Sequence, residues 1–303
     1  MTFRRLLPTD IIVIGYSVGM ALLLLIVGRP LPGYVDELAF YGLMAALPFA
    51  VARFVDPSRG RLMALVRYAY PVLLFTFFYK MTGGTIFLLH EGWFDGRITE
   101  FEKALFGVNP TMYIDRLLPA VWFTEAVMFC YFCYYFMIPG FTLYAFFRKD
   151  YEILKRGISA ICLTFFVSYP LFFLYPVQGP RWHFAEEYTH AVEGPVFREL
   201  VNIVIENGAV RGGCVPSTHV AVALVILLFC FRHYRRLGWL LLPINIGLAI
   251  GTVWGRFHYV SDVVVGVAIA VACTVVVWKW YDRWDPVGRK QNSTSKVPVS
   301  HAA

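Results

Sequence analysis

The chain has 303 residues, 58% of them apolar or aromatic and only 16% charged, where an ordinary soluble domain has about 45–50% and about 25%. The apolar residues fall in long blocks, which excludes a disordered chain, a disulfide-stapled secreted module and a simple soluble two-domain protein. The net charge is +7, but Lys and Arg gather in short clusters between apolar runs, the pattern of loops on one side of a bilayer rather than of a nucleic-acid surface. What remains is an all-α protein, a polytopic transmembrane helical bundle.

A hydrocarbon core about 30 Å thick takes about 20 mostly apolar residues to cross as a helix, which satisfies its own backbone groups there. Eight segments meet that requirement: 10–28, 37–54, 68–89, 119–147, 157–176, 215–232, 237–254 and 259–280. The first follows Arg4 and Arg5 as a signal peptide would, yet Gly28-Arg29-Pro30 offers no small-x-small cleavage site, so it is kept as a span. The second is the weakest: it is short, carries Pro48 and begins at Asp36 and Glu37. Between the third and fourth, Trp93, Phe94, Phe101, Leu105 and Phe106 stand among Glu100, Glu102 and Lys103. That mixture reads as an amphipathic stretch at the membrane interface or as a plain solvated loop.

The chain thus divides into N-terminal membrane helices with an interfacial segment, 1–118, a bundle that carries the chemistry-bearing motifs, 119–283, and a polar tail, 284–303, expected to be disordered. Basic residues set the orientation. Eighteen, including Arg53, Arg67, Arg148, Arg156 and Arg235, lie on one side, and eight, including Arg97, Arg181, Arg198 and Arg256, on the other. This puts both termini in the cytoplasm and the long loops, near 90–118 and 177–214, outside. Asn292-Ser293-Thr294 matches a glycosylation acceptor, but on the cytoplasmic side the match is a coincidence. Five of the six cysteines, Cys130, Cys133, Cys162, Cys230 and Cys273, sit in apolar runs as small packing residues; only Cys214 is in a loop.

Ionisable side chains at membrane depth are expensive and raise a functional question. Three stretches raise it together: Gly179-Pro180-Arg181-Trp182-His183 after the fifth span, Gly212-Gly213-Cys214-Val215-Pro216-Ser217-Thr218-His219 at the start of the sixth, and Gly255-Arg256-Phe257-His258-Tyr259-Val260-Ser261-Asp262 at the start of the eighth. All three reach the outer end of the bundle, where distant residues can meet in one layer. His258 and Asp262 are four apart, which on a helix puts them on one face and lets the carboxylate accept an imidazole N–H. That bond fixes the tautomer and frees the other ring nitrogen as nucleophile or base. His219 sits one turn into its helix, Ser217 is placed to cap it, and Gly212 and Gly213 give a backbone suited to an oxyanion. Arg181 and Arg256 add planar forks for phosphate oxygens.

These residues resemble the type-2 phosphatidic acid phosphatase superfamily, membrane enzymes acting on lipid phosphates. Its Pro-Ser-x-His motif is matched by Pro216-Ser217-Thr218-His219, and its His-x-x-x-Asp by His258 to Asp262. Pro180-Arg181 matches part of the first motif, with Leu174 where a lysine is expected; Thr252 stands where the third motif has an arginine, and Arg256 follows instead. These departures resemble the branch with inositol phosphorylceramide synthases and related bacterial proteins.

The resemblance implies a catalytic core of six helices and a covalent mechanism. His258 would attack phosphorus and form a phosphohistidine, with Asp262 orienting it and His219 serving as acid and then base. Arg181, Arg256, Ser217 and backbone N–H groups near Gly213 would hold the phosphoryl oxygens. It implies a lipid phosphate or phospholipid as substrate, in a membrane and without nucleic acid, and requires no cofactor and no metal. The acceptor is water in a phosphatase or an alcohol such as inositol in a head-group transferase. Lys80, inside the third span, pairs with Glu125 or snorkels, or with Arg211 adds to the cradle. His183 and His190 read as ordinary loop residues. The aromatic clusters at Phe129 to Phe136 and Phe165 to Phe173 read as packing surface or an acyl-chain groove. Two rivals of other classes remain: a lipid transporter or flippase, and a haem or metal protein with His219 and His258 as ligands.

Overall fold

The computed structural model describes residues 6–27, 33–117 and 120–284. The polar tail beyond Trp284 and the Asn292 acceptor lie outside the described residues. Twelve α-helices follow in chain order: α1 Pro8–Val27, α2 Tyr34–Phe54, α3 Arg61–Thr85, α4 Asp95–Phe106, α5 Pro110–Asp115, α6 Val121–Phe147, α7 Tyr151–Leu174, α8 Pro180–His183, α9 Phe197–Gly208, α10 Thr218–His233, α11 Arg235–Trp254 and α12 Val260–Trp284. Seven of these, α1, α2, α3, α6, α7, α11 and α12, are long and apolar enough to cross a membrane. The predicted sixth span is the 16-residue α10, about 24 Å long at about 1.5 Å per residue. It is shorter than predicted because Val215, Pro216 and Ser217 belong to the loop before it.

The centre of the bundle is α7: 72% of its most apolar stretch is buried, against 28–39% in the other six spans. Around it pack α1, α3, α6, α10 and α12, with α11 between α6 and α10. Glycines allow the closest approaches. A Cβ at Gly251 would come within 2.8 Å of the Val127 carbonyl oxygen, and one at Gly266 within 2.6 Å of the Ser217 carbonyl oxygen. Those contacts seat α11 on α6 and α12 on the start of α10, the small-residue packing by which membrane helices associate.

At one end of the bundle α1 is tied to its neighbours by polar bonds. Asp10, fully buried, accepts two bonds from Arg67, at 3.1 and 2.6 Å, one from the Tyr70 hydroxyl at 2.8 Å and one from the Leu7 N–H at 2.7 Å. Thr9 and Ser159 share a hydroxyl bond of 2.7 Å.

The opposite end collects the start of α6, α10 and α12, the end of α3, α7 and α11, and the short helices. The stretch read as interfacial or solvated forms α4 and α5. Its apolar residues Phe101, Leu105 and Phe106 are exposed, whereas Asp95, Ile98 and Glu102 form the buried face of α4. The helix has an exposed apolar side and an inward face on which acids sit.

Candidate active site

The site is built on the turn that ends α11. The Thr252 carbonyl accepts the N–H groups of Phe257 at 2.9 Å and His258 at 3.0 Å, and Arg256 between them adopts φ 63°. That left-handed conformation is seldom taken by a bulky residue and is held where the surroundings over-determine it. The position where the resembled family has an arginine thus acts here through its backbone.

His258 lies in this turn, ahead of α12, and that changes its partner. Its Nδ1 is 2.9 Å from the Cys214 carbonyl and 3.4 Å from Asp262 Oδ2. The shorter bond runs to the carbonyl, and the carboxylate stands behind as a second, longer contact. Four-residue spacing predicts a direct carboxylate bond only if both residues are helical, and His258 is not. Asp262 instead caps the helix start: its Oδ2 accepts the Tyr259 N–H and the Cys214 thiol, both at 2.9 Å. The carbonyl accepts a hydrogen bond from Nδ1–H, so Nε2 is left with its lone pair. Cys214, His258 and Asp262 have ligand atoms within 4.8 Å of one another, a set that could hold a metal ion; here they bond to each other.

His219 stands in the first turn of α10 with its ring centroid 6.0 Å from that of His258. Its Nε2 is 3.3 Å from the Tyr131 hydroxyl, and its Nδ1 is buried with no partner. The rings of Tyr131 and Tyr134 lie 5.1 and 4.6 Å away. Ser217 occupies the N-cap position but makes no side-chain cap bond; its Oγ is buried without a partner. The capping expected of it is therefore not formed, and its side chain lies against Gly266.

Both histidines face a cavity of about 410 Å³. Arg181, Gly213 and Thr218 line its polar end; Tyr79, Tyr134, Tyr169 and Phe165 line the rest, which descends along α3, α6 and α7 to Val72 and Pro139. The aromatic clusters of α6 and α7 thus face a cavity as well as packing. Ser217, Asp262 and Arg256 are not among the lining residues.

Arg256 lines an adjoining cavity of about 380 Å³ with Arg198, Tyr188, Thr189 and His190; Arg181 lines both. Its guanidinium bonds Asp115 Oδ1 at 2.5 Å and the His190 carbonyl at 2.7 Å, and lies 3.6 Å over the Tyr188 ring. Arg181 is joined to the same turn by its N–H on the Arg256 carbonyl, 3.0 Å. Burial lowers the pKa of both arginines. Arg198 is pushed down to about 10, first by burial and then by the charges of Arg181 and Arg256.

Four carboxylates that sequence reasoning missed hold these loops. Asp95, buried, accepts the N–H groups of Gln178 and Gly179 and the Tyr259 hydroxyl, each at 2.9 Å. Glu102 accepts the Ser261 N–H at 2.7 Å and hydroxyl at 2.9 Å; burial raises its pKa. Asp115 accepts the Thr189 N–H and hydroxyl, the His190 N–H and Arg256. Burial works against its ionisation, but the bonds from Thr189 and His190 and the Arg256 charge hold its carboxyl below the usual range. Glu125 accepts the N–H groups of Val196, Phe197 and Arg198 and so caps α9. Lys80, expected to pair with Glu125 or to snorkel, donates to the Asn207 carbonyl at 2.9 Å. Arg211 bonds Gln178 and lies against the rings of Trp93 and Trp182.

The PAP2 superfamily model matches residues 97–276. The chain belongs to the PAP2 superfamily. A PA-phosphatase related-family protein of Dictyostelium discoideum is 24% identical over 202 residues, covering 60% of this chain and 36% of that protein. The chain thus spans little more than a third of the curated relative's length. No solved structure matches. Superfamily membership and seven apolar helices fit an integral membrane protein. The matched range takes in α4 from Arg97 onward, with Glu102, as well as the three motif stretches. Arg198 and Tyr131 also escaped the sequence reading, because neither stands in a motif; the one available signal was an arginine in the long loop with no acidic neighbour at helical spacing before it.

Proposed function

We propose that the protein cleaves a phosphate ester of a lipid through a phosphohistidine on His258. The observation that carries this reading is the His258 ring, held by the Cys214 carbonyl, 6.0 Å from the His219 ring at the polar end of an apolar cavity. A nucleophile works about 3–3.5 Å from the reacting atom and a general acid within about 2.6–3.2 Å of its oxygen. Two rings this close can both touch one phosphoryl group.

In the first half-reaction His258 Nε2 attacks phosphorus, the P–O bond to the lipid or head group breaks, and His219 gives its proton to the departing oxygen. The new imidazolium is stabilised by the Cys214 carbonyl and the Asp262 carboxylate. In the second, His219 takes a proton from the entering water or alcohol, whose oxygen displaces His258 Nε2 from phosphorus. Arg181, the backbone around Gly213 and the first-turn N–H groups of α10 take up charge on the equatorial oxygens. Arg256 and Ser217, one step behind the cavity wall, complete that field. The lipid tail lies along α3, α6 and α7. By the distribution of basic residues, the site faces the periplasm or lumen.

The test is purified full-length protein offered a panel of lipid phosphates and phospholipids, with and without inositol, beside His258→Ala and His219→Ala. Turnover in the wild type, lost in both variants, supports the reading; full turnover in both ends it. Product that forms only with inositol assigns the head-group transferase, and product in water alone assigns the phosphatase.

A further inference from the structure

The groups assigned to the phosphoryl oxygens and to the attack on phosphorus all come from the three motif stretches, yet a fourth stretch ties those loops together. Asp95, the first residue of α4, is 1% exposed and uses both carboxylate oxygens. Oδ2 accepts the Gln178 N–H, and Oδ1 accepts the Gly179 N–H and the Tyr259 hydroxyl, each at 2.9 Å. Gly179 stands two residues before Arg181, and Tyr259 directly follows His258. One buried carboxylate thus joins the backbone of the phosphate-holding arginine to the turn of the attacking imidazole.

The other loop-holding carboxylates do less. Glu102 meets Ser261, Asp115 bonds Arg256 and the backbone at Thr189 and His190, and Glu125 caps α9. Around Asp95 the join is closed from several sides. The Phe94 N–H bonds the Pro176 carbonyl at 2.8 Å and the Phe94 ring stacks on Tyr175 at 4.8 Å, so the start of α4 is docked along 175–179. The backbone of Val177 pairs in turn with Gly213, which brings the second motif stretch into the same frame. Gly179 has φ 98°, and a Cβ there would lie 3.1 Å from Cys214 Sγ and 3.3 Å from the Phe257 carbonyl oxygen. The loop before Arg181 is therefore packed directly on the turn before His258. Bonds to a buried carboxylate are among the strong ones, and they fix direction as well as distance.

We propose that Asp95 is a positioning residue of the reaction: it sets the separation between Arg181 and His258, so that phosphorus held by the one is in line with the other. This rests on the phosphohistidine reading for the roles of those two residues. Asp95 lies ahead of the matched range, which begins at residue 97, so the machinery of this chain extends into a segment the superfamily model does not cover. Attack and binding respond differently to a displacement. A shift of about 1 Å at the reacting atoms costs about 10²-fold in rate, whereas attraction between a guanidinium and a phosphate falls only slowly with distance. Loosening the join therefore slows the chemical step and leaves substrate binding largely intact.

The test measures kcat and KM separately, per folded full-length protein, for wild type, Asp95→Asn and Tyr259→Phe with the lipid phosphate the wild type turns over fastest. Asp95→Asn keeps the shape but puts an amide donor against a backbone N–H, and should lower kcat by about 10²-fold with KM within about 2-fold. Tyr259→Phe removes one of the three bonds and should lower kcat by about 10-fold. The double variant should lose less than the product of the two, because they share that bond. Wild-type kcat in the folded variants, or a loss that falls on KM alone, makes Asp95 a structural acid like Asp10 and overturns the proposal; where Asp95→Asn does not fold, Tyr259→Phe decides by itself. Rapid-quench trapping of an acid-labile phosphoenzyme separates this from the reading beneath it. Slower trapping in Asp95→Asn supports both. A wild type that turns over with no such intermediate overturns the phosphohistidine, while a kcat loss at constant KM in the variants would still keep Asp95 as the residue that sets the site.

Discussion

The two ends of the bundle bury charge in opposite ways. At one end Asp10 receives four hydrogen bonds, two of them from a single buried arginine, and both carboxylate oxygens are used. At the other, Ser217 Oγ, His219 Nδ1, Asp262 Oδ1, Arg198 Nε and Arg256 Nε are all buried without partners. Burial of a polar group costs free energy unless it is bonded. The first arrangement is what a structural ion pair requires; the second is what the proposed site requires, polar groups kept for a bound partner. The difference separates the end that holds α1 in place from the end of the proposed site more sharply than residue type does, since both ends use arginine and aspartate.

The largest expected effect breaks the open end. His258→Ala should lower turnover by at least about 10³-fold, the loss of a covalent nucleophile, and His219→Ala by about 10²–10⁴-fold, with little change in melting temperature in detergent. A variant that unfolds instead would make these histidines structural, like Asp10.

Next comes the closed end. Arg67→Ala leaves Asp10 as an uncompensated buried charge and should cost about 3–5 kcal/mol, read as a lower melting temperature, with kcat/KM of the remaining folded protein unchanged. Replacing both partners, Asp10→Asn with Arg67→Met, should recover much of that loss; a double variant no better than Arg67→Ala would deny that the pair is closed on itself.

Asp115 stands between the two cases, a paired acid that serves the site. Asp115→Asn removes charge from the bonds to Thr189, His190 and Arg256 and should cost about 1.5–3 kcal/mol. Because the folded pKa of Asp115 is lowered, its contribution is present above the unfolded value of about 3.9 and is lost as pH falls through the folded pKa. The melting temperature of Asp115→Asn should therefore fall less on acidification below about pH 4 than that of the wild type.

The smallest effect sharpens the comparison. An N-cap serine that bonds the helix contributes about 1 kcal/mol, but Ser217 makes no such bond. Ser217→Ala should change stability by less than about 0.5 kcal/mol while lowering kcat/KM, measured by melting and by turnover of the same preparation.

Much of this was legible in the sequence. The spans came from the length of apolar runs, and His219, His258 and Arg181 stood out because ionisable residues are rare at membrane depth. Asp95 and Glu102 did not, although they occupy the buried face of α4 with Ile98 between them. In a loop of mixed charge their acidity reads as solvation until the partners are known. Arg198 was hidden for a related reason: it is one basic residue among eight on its side, and only packing brings its guanidinium over the Phe257 ring. Asp262 was found, but its contact with His258, 3.4 Å, is longer than the bond of that ring to the Cys214 carbonyl, because the spacing argument assumed a helix where the chain makes a turn.

Composition and hydrophobic block length were enough to place the chain in a membrane as helices, since lipid leaves the backbone no other partner for its hydrogen bonds. Which polar groups end up satisfied, and which are left reaching into a cavity, depends on contacts between segments far apart in the chain. Only the packed bundle decides that, because hydrogen bonding over a few ångströms is settled by where each helix stops and how closely its neighbours approach.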